Sequence, residues 1–73
     1  MITPEELTDE EIYETFCLRI RSKRMSKKIT QEDMAEALGM SRTNYVNLEA
    51  GRQNIALSTA YRICMILKMK VFE

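Results

Sequence analysis

Apolar residues recur at helical spacing in two short blocks near the middle of the chain. The first block places three of them on one helical face: Met34, Ala35 and Leu38. In the second block, Tyr45 and Leu48 stand three residues apart and point back toward the first. The pattern predicts two helices, near residues 31–38 and 42–50, joined by a three-residue turn. Helices this short are marginal in water, so they must pack against other parts of the chain.

Helix-capping residues stand at the ends of both blocks. Thr30 with Asp33 forms a variant of the capping box at the first start, and Ser41 offers an oxygen to cap the second helix. Glycines follow both blocks, where a helix end needs left-handed backbone: Gly39 and Gly51. Ala35 is small enough to let the two helices cross closely. Together these signals predict a helix-turn-helix over residues 31–50.

A longer helix is predicted before this pair. It begins at Thr8 or Asp9, where a run of acidic residues follows a capping threonine, and it ends near residues 25–27. Its inward stripe has a spacing of four residues: Ile12, Phe16 and Ile20. Pro4, at a first helical position, predicts a short turn ahead of it.

A loop over residues 51–57 leads to a fourth predicted helix, which Ser58 or Thr59 opens and which runs to about Met69. One face carries Ala60, Ile63, Cys64 and Leu67, and further apolar side chains cover much of the remainder. A helix that is apolar nearly all round must be buried on more than one side. A second subunit is favoured as the cover, over a tail that folds back. The expected dimer interface consists of Tyr61, Met65, Met69 and Phe72.

Length and composition predict one small all-α domain over residues 1–73. The chain has 73 residues, 45% hydrophobic and 30% charged, with a single proline and two glycines. A chain of this size buries only about 60% of its unfolded surface, so its stability should be modest. The first sixteen residues carry acids and no lysine or arginine, which argues against a signal peptide. No uninterrupted apolar run approaches the length of a membrane span.

The two cysteines and the absence of histidine bear on cofactors and on the cellular compartment. Cys17 and Cys64 are far apart and do not form a metal-ligand spacing, so no metal and no cofactor is expected. We interpret both as reduced thiols in a cytoplasmic protein. The alternative is a disulfide that links the first and last helices.

Charge is zero in total but unevenly distributed. An acidic N-terminal extension spans residues 1–15, and residues 1–16 carry six acids and no base. Residues 17–28 carry six bases and no acid, and the rest of the chain balances. Acids at the start of a helix and bases at its end match the helix dipole. The basic end could also meet phosphate, and the two interpretations are compatible.

Four segments, in order and at matching spacings, resemble the lambda-repressor-like, or XRE-type, helix-turn-helix domains. They read RIRSKR at 19–24, ITQEDMAEALGMS at 29–41, NLEAGR at 47–52 and LSTAYRICMIL at 57–67. The similarity covers about residues 16–69. It implies an all-α bundle of four to five helices that binds double-stranded DNA through its helix-turn-helix.

The resemblance also implies roles for individual residues. The positions that face bases in the major groove are Arg42, Thr43 and Asn47, with Asn44 a weaker candidate. The family positions expected at the DNA backbone are Gln31, Arg52, Gln53 and Asn54. Lys27 is expected there as part of the basic end of the first helix. Tyr45 departs from the family, since it is larger than the aliphatic residue often found at its position, and its hydroxyl should reach solvent or a phosphate. Arg24 and Glu49 match an internal ion pair. Arginine can bind guanine and asparagine can bind adenine with two hydrogen bonds each, and a threonine methyl can meet the thymine methyl.

The leading hypothesis is a sequence-specific transcriptional regulator, either a repressor or a phage or restriction–modification controller. It would act as a homodimer on a palindromic operator, with recognition helices about one DNA turn (~34 Å) apart. The alternative is a protein-interaction module, such as an antitoxin or adaptor, that holds a partner protein with the apolar fourth helix. An enzyme is not expected, since the chain has no histidine, no phosphate-cradling glycine loop and no credible carboxylate pair.

Overall fold

The chain folds into four α-helices in the computed structural model, which describes residues 7–70. They are α1 (Asp9–Ser26), α2 (Gln31–Leu38), α3 (Arg42–Glu49) and α4 (Leu57–Leu67). This part of the chain contains no strand, so the all-α prediction is confirmed. The turn predicted at Pro4 and the contact predicted for Phe72 lie outside the described residues.

Side-chain caps fix the starts of the first three helices. Thr8 and Thr30 each form a complete capping box, with Glu11 and Asp33 respectively. The Ser41 hydroxyl accepts a hydrogen bond from the backbone N–H of Asn44 at 3.1 Å. These bonds satisfy backbone donors that would otherwise lack partners in the first turn of each helix. The helices begin where the capping residues predict.

The fourth helix begins earlier than the sequence predicts. Its N-cap is Ala56, which forms no side-chain cap, and its first residue is Leu57. Ser58 and Thr59, predicted to open the helix, therefore lie inside its first turn. The carbonyl of Ala56 accepts from the N–H of Ala60 at 2.9 Å, so the helix starts on backbone bonds and is held by its apolar face.

All four helices end in a left-handed residue. Gly39 and Gly51 take this role after α2 and α3, with φ of 70° and 77°. Lys28 and Lys68 take it after α1 and α4, with φ of 58° and 54°. In each case the N–H of the following residue bonds to the carbonyl five residues back along the chain, as from Met69 to the carbonyl of Cys64 at 2.9 Å. The turn at Lys68 ends α4 before Met69, the predicted end.

One core joins the four helices. Its buried members are Ile20 from α1, Met34 and Ala35 from α2, Tyr45 and Leu48 from α3, and Ile63 and Leu67 from α4. Ala35 is buried in the region where α2 packs against α3, as its small size predicts. The helix-turn-helix is thus held from behind by α1 and α4.

The inward face of α1 differs from the predicted stripe. Ile20 is buried and Phe16 is partly buried, but Ile12 is 49% exposed and Cys17 is buried instead. The cause is helix geometry: each step of four residues turns about 40° beyond one full turn, so Ile12 lies about 80° around the helix from Ile20. Tyr13 lies closer to the line of Ile20 and is half-buried. A repeat of four residues therefore leaves the core-facing side after two steps.

Both cysteines are free and buried, so the alternative of a disulfide between the first and last helices is not realised in the structure. The Cys17 thiol donates to the carbonyl of Leu48 at 3.4 Å. Residues 7–70 contain no group of three or more histidine, cysteine or carboxylate side chains placed to bind a metal ion. None of the helices in this range has the length and apolar character needed to cross a bilayer.

Replacing Lys68 by glycine is expected to stabilise the protein. A side chain at left-handed φ costs about 1–2 kcal/mol, while glycine loses more backbone entropy on folding, so the net gain should be about 1 kcal/mol. Urea unfolding of Lys68→Gly measures the gain, and Lys68→Ala is the matched control because it removes the same side chain without relieving the backbone. Equal stability of the two variants would contradict the explanation.

Candidate nucleic-acid interface

The outer face of α3 is polar and open to solvent. Arg42, Thr43 and Asn44 are exposed in the first turn, and Asn47 lies one turn further on and is half-buried. The opposite face carries the buried residues Tyr45, Leu48 and Glu49. The structure therefore leaves the four predicted base-reading residues at the surface of a helix whose remaining side belongs to the core.

Tyr45 does not reach solvent or a phosphate, so its predicted backbone contact is wrong. The side chain is fully buried, and its hydroxyl is a buried polar atom with no hydrogen bond of ordinary geometry. Burial raises the pKa of Tyr45, and the nearby Glu49 carboxylate raises it further. Tyr45 stands on the core side of α3, where its large apolar ring is needed.

The ion pair implied by the resemblance is present and buried. The Arg24 guanidinium donates from Nε to Glu49 Oε2 at 2.9 Å and from Nη2 to Glu49 Oε1 at 3.0 Å. Only 11% of the Arg24 side chain and 2% of the Glu49 side chain are exposed. A third donor of Arg24, Nη1, binds the carbonyl of Ile29 at 2.8 Å. Two parallel bonds fix the orientation of the pair as well as its distance.

Gln31 joins the same cluster from the start of α2. Its Nε2 donates to Glu49 Oε1 at 3.3 Å, so one carboxylate at the end of α3 ties α3 to α1 and α2. This bond supports a bracing role for Gln31, whose predicted phosphate contact stays a prediction. We name the group formed by Arg24, Gln31 and Glu49 the carboxylate clamp.

The clamp changes the acidity of Glu49. Burial alone would raise the pKa of this carboxyl, but hydrogen bonds from Arg24 and other neighbours outweigh it and lower the pKa below its ordinary value. Glu49 therefore stays ionised in the folded protein. The charge is matched by the guanidinium that binds it.

The loop after α3 carries two more predicted DNA contacts and an unpredicted link. Arg52 and Asn54 are exposed, as is Lys27 at the end of α1. Arg52 Nη1 donates to Asn47 Oδ1 at 2.9 Å, and the Arg52 N–H binds the Asn47 carbonyl at 3.0 Å. The sequence signal for this link is Gly51, whose left-handed turn brings residues five apart into contact.

An apolar stripe runs along α4 on its open side. Leu57, Tyr61 and Met65, at intervals of four, are 74%, 58% and 63% exposed. Tyr61 and Met65 belong to the predicted dimer interface, and Leu57 was missed although its spacing indicates it. Met69 does not continue this stripe, because the turn at Lys68 returns it to the domain's own core. We name Leu57, Tyr61 and Met65 the α4 stripe.

Comparison with known proteins places this architecture among regulators of transcription. A family model described as helix-turn-helix matches residues 20–73. An uncharacterized HTH-type transcriptional regulator of Archaeoglobus fulgidus is 36% identical over 53 residues, which are 73% of this chain and 75% of that protein. The ImmF control region 10 kDa protein of Bacillus phage phi105 is 40% identical over 50 residues, 68% of this chain and 56% of that protein.

A solved structure shares the fold. The crystal structure of the hypothetical transcription factor NHTF from Neisseria superposes with a TM-score of 0.76 at 30% sequence identity. The match covers 97% of this chain and 81% of that chain. The similarity therefore extends to α1, most of which precedes the residues matched by the family model.

Acid should destabilise the wild type more than the variant Glu49→Gln. Because the folded state lowers the pKa of Glu49, the resulting stability is present above the ordinary value of 4.5 and is lost as the pH falls through the folded-state pKa. Glu49→Gln should be less stable than the wild type at neutral pH and should lose less stability on acidification. Urea unfolding at a series of pH values measures both quantities.

The control for this experiment is Glu36→Gln, which neutralises an exposed carboxylate on α2. It should keep the pH dependence of the wild type. Identical pH dependence of the wild type and Glu49→Gln would show that the clamp does not lower the pKa of Glu49.

Proposed function

We propose that this chain is a sequence-specific regulator of the repressor type. It belongs to the XRE-type, lambda-repressor-like helix-turn-helix family of DNA-binding transcriptional regulators. It binds a palindromic operator as a homodimer in the cytoplasm. The observation that carries this proposal is the polar outer face of α3, which is held rigidly by the core and the carboxylate clamp. The proposal assigns no catalytic step and no cofactor.

Base recognition falls to the exposed side chains of α3. A helix fits the major groove, where each base pair shows a different pattern of donors and acceptors. Arg42, at the first position of the helix, can bind the O6 and N7 atoms of guanine. Thr43 offers a methyl group to thymine, and Asn44 and Asn47 offer amides to base edges. The Asn47 Oδ1 accepts a hydrogen bond from the Arg52 guanidinium. This bond holds the Asn47 amide group in one orientation.

Contacts to phosphate position the helix without reading sequence. The candidates surround α3: Lys27 at the end of α1, Gln31 at the start of α2, and Arg52 and Asn54 in the loop after α3. Three of the four are exposed, and Gln31 is half-buried with its amide on the clamp. The two arginines and one lysine of the proposed interface supply a local positive charge that the zero net charge of the chain conceals.

The α4 stripe is the proposed dimer contact. Three exposed apolar side chains on one helix side are costly in water and are covered when two copies meet on that side. A palindromic site requires the two α3 helices of such a dimer to lie about one DNA turn (~34 Å) apart. The name of the phage relative, a control region protein, agrees with a role in switching gene expression.

A second candidate function uses the same stripe. Exposed Leu57, Tyr61 and Met65 could instead hold another protein, as in an antitoxin or adaptor. Two variants distinguish the two functions. A charged substitution of Tyr61 would remove binding of the partner protein and leave the base preference of α3 intact. Substitution of Arg42 would have the opposite effect.

Arg42→Ala should weaken specific DNA binding without unfolding the protein. Loss of a bidentate arginine–guanine contact corresponds to about 1–3 kcal/mol, or roughly fivefold to 150-fold in affinity. A duplex selected from a random library by the wild-type protein serves as the probe in a fluorescence anisotropy titration. The matched control is Arg62→Ala, which removes an exposed arginine from α4. Equal affinity and base preference in Arg42→Ala and the wild type would overturn the proposed role of α3.

A further inference from the structure

The face of α1 that points away from the core is complementary to itself in charge, and we propose that it docks antiparallel on the same face of a second copy of this chain. This contact uses neither the α4 stripe nor the outer face of α3, although part of the α1 face lines the same groove as the loop residues Arg52 and Asn54.

The centre of this face is apolar. Leu18 is 60% exposed and Met25 is 57% exposed, although Leu18 lies in the middle of the helix. The two are seven residues apart, nearly two full turns, so they share one side of α1. Glu11 lies seven residues before Leu18 and extends the same line toward the N-terminus. The opposite side holds the buried residues Cys17 and Ile20.

Opposite charges flank Leu18 on neighbouring turns. Glu14 precedes it by four residues and Arg21 follows it by three, so both lie beside it on the helix surface. Both side chains are exposed, and no ion pair found within residues 7–70 involves either of them. Two unpaired opposite charges therefore border an exposed leucine.

The helix dipole does not account for this arrangement. Its influence is confined to the first and last turns, where Asp9, Glu10 and Glu11 stand at the start and Lys23 and Arg24 at the end. Glu14 and Arg21 lie one turn further in. The dipole also gives no reason for an exposed leucine between them.

An antiparallel pair of α1 helices matches Leu18 and the two charges that flank it. A two-fold axis at Leu18 sets this leucine against Leu18 of the partner subunit. The same axis sets Glu14 opposite Arg21 of the partner subunit, and the symmetric pair forms on the other side. A parallel arrangement would oppose like charges and is excluded by repulsion. The self-complementary charge pattern therefore favours a second copy of this chain as the partner and an antiparallel orientation of the two α1 helices.

The contact is small, because one helix face supplies fewer than the roughly 20–30 residues a side of a stable interface. Association in free solution is therefore weak. It becomes effective between copies held close together on DNA, where the effective concentration is high. The expected consequence is contact between neighbouring DNA-bound copies.

Charge reversal tests the proposal on the full chain. Glu14→Lys places two repulsive pairs in its own homodimer, and Arg21→Glu does the same with the opposite sign. Each variant alone should associate at least about tenfold more weakly than the wild type, since two exposed pairs change from attraction to repulsion. An equimolar mixture of the two variants forms attractive pairs only and should recover association. The double variant Glu14→Lys, Arg21→Glu should recover it as well.

Sedimentation velocity over a concentration series, at low and high salt, measures the association, and circular dichroism checks that each variant is folded. Glu36→Lys, the same charge change on α2, is the control and should behave as the wild type. Any contact through the α4 stripe is common to all variants, so the pattern of loss and recovery reports on α1 alone. A wild type that shows no charge-dependent association at millimolar concentration, or single variants that associate as the wild type does, would overturn the proposal.

Discussion

The bidentate ion pair between Arg24 and Glu49 is the constraint on which the rest of the structure depends. It joins the end of α1 to the end of α3, and Gln31 adds the start of α2 to the same carboxylate. Removing two charges from water is expensive, and the pair is tolerable only because the remaining donors also find partners. Loss of one partner typically costs about 3–5 kcal/mol, a large part of the stability of so small a domain. An arginine-to-alanine change at position 24 can therefore resemble a DNA-binding defect while it unfolds the protein.

This constraint holds in place a helix of only eight residues, α3, which is the proposed recognition element. Alone, α3 would be marginal in water. In the domain its start is fixed by the Ser41 cap, its middle by Tyr45 and Leu48 in the core, and its end by Glu49. All inward-facing positions are thereby occupied, and the polar side chains are left on the outside. A rigid polar helix face loses little conformational entropy on binding, which favours affinity for a groove of fixed shape.

Local chemistry made much of this predictable. Capping residues, whose hydrogen bonds reach only three residues, fixed the starts of α1, α2 and α3, and the resemblance supplied the Arg24–Glu49 pair. Features that depend on distant neighbours were missed. Ile12 is exposed because a spacing of four residues rotates it away from the side of α1 that faces the core. Tyr45 is buried because its position on α3 faces the core, where its apolar ring packs. Lys28 and Lys68 end helices without glycine, which no residue-type rule indicates. The link from Arg52 to Asn47 depends on the turn at Gly51 that aligns them.

The central claim is that the outer face of α3, and not the α4 stripe, meets DNA. The most direct measurement is a ¹H–¹⁵N NMR titration of the protein with a duplex that it selects from a random library. The account predicts that the largest changes occur at the amides of Arg42, Thr43 and Asn47 and in the loop that contains Arg52, with the core amides nearly unmoved. Changes concentrated along α4, with the first turn of α3 unaffected, would contradict it.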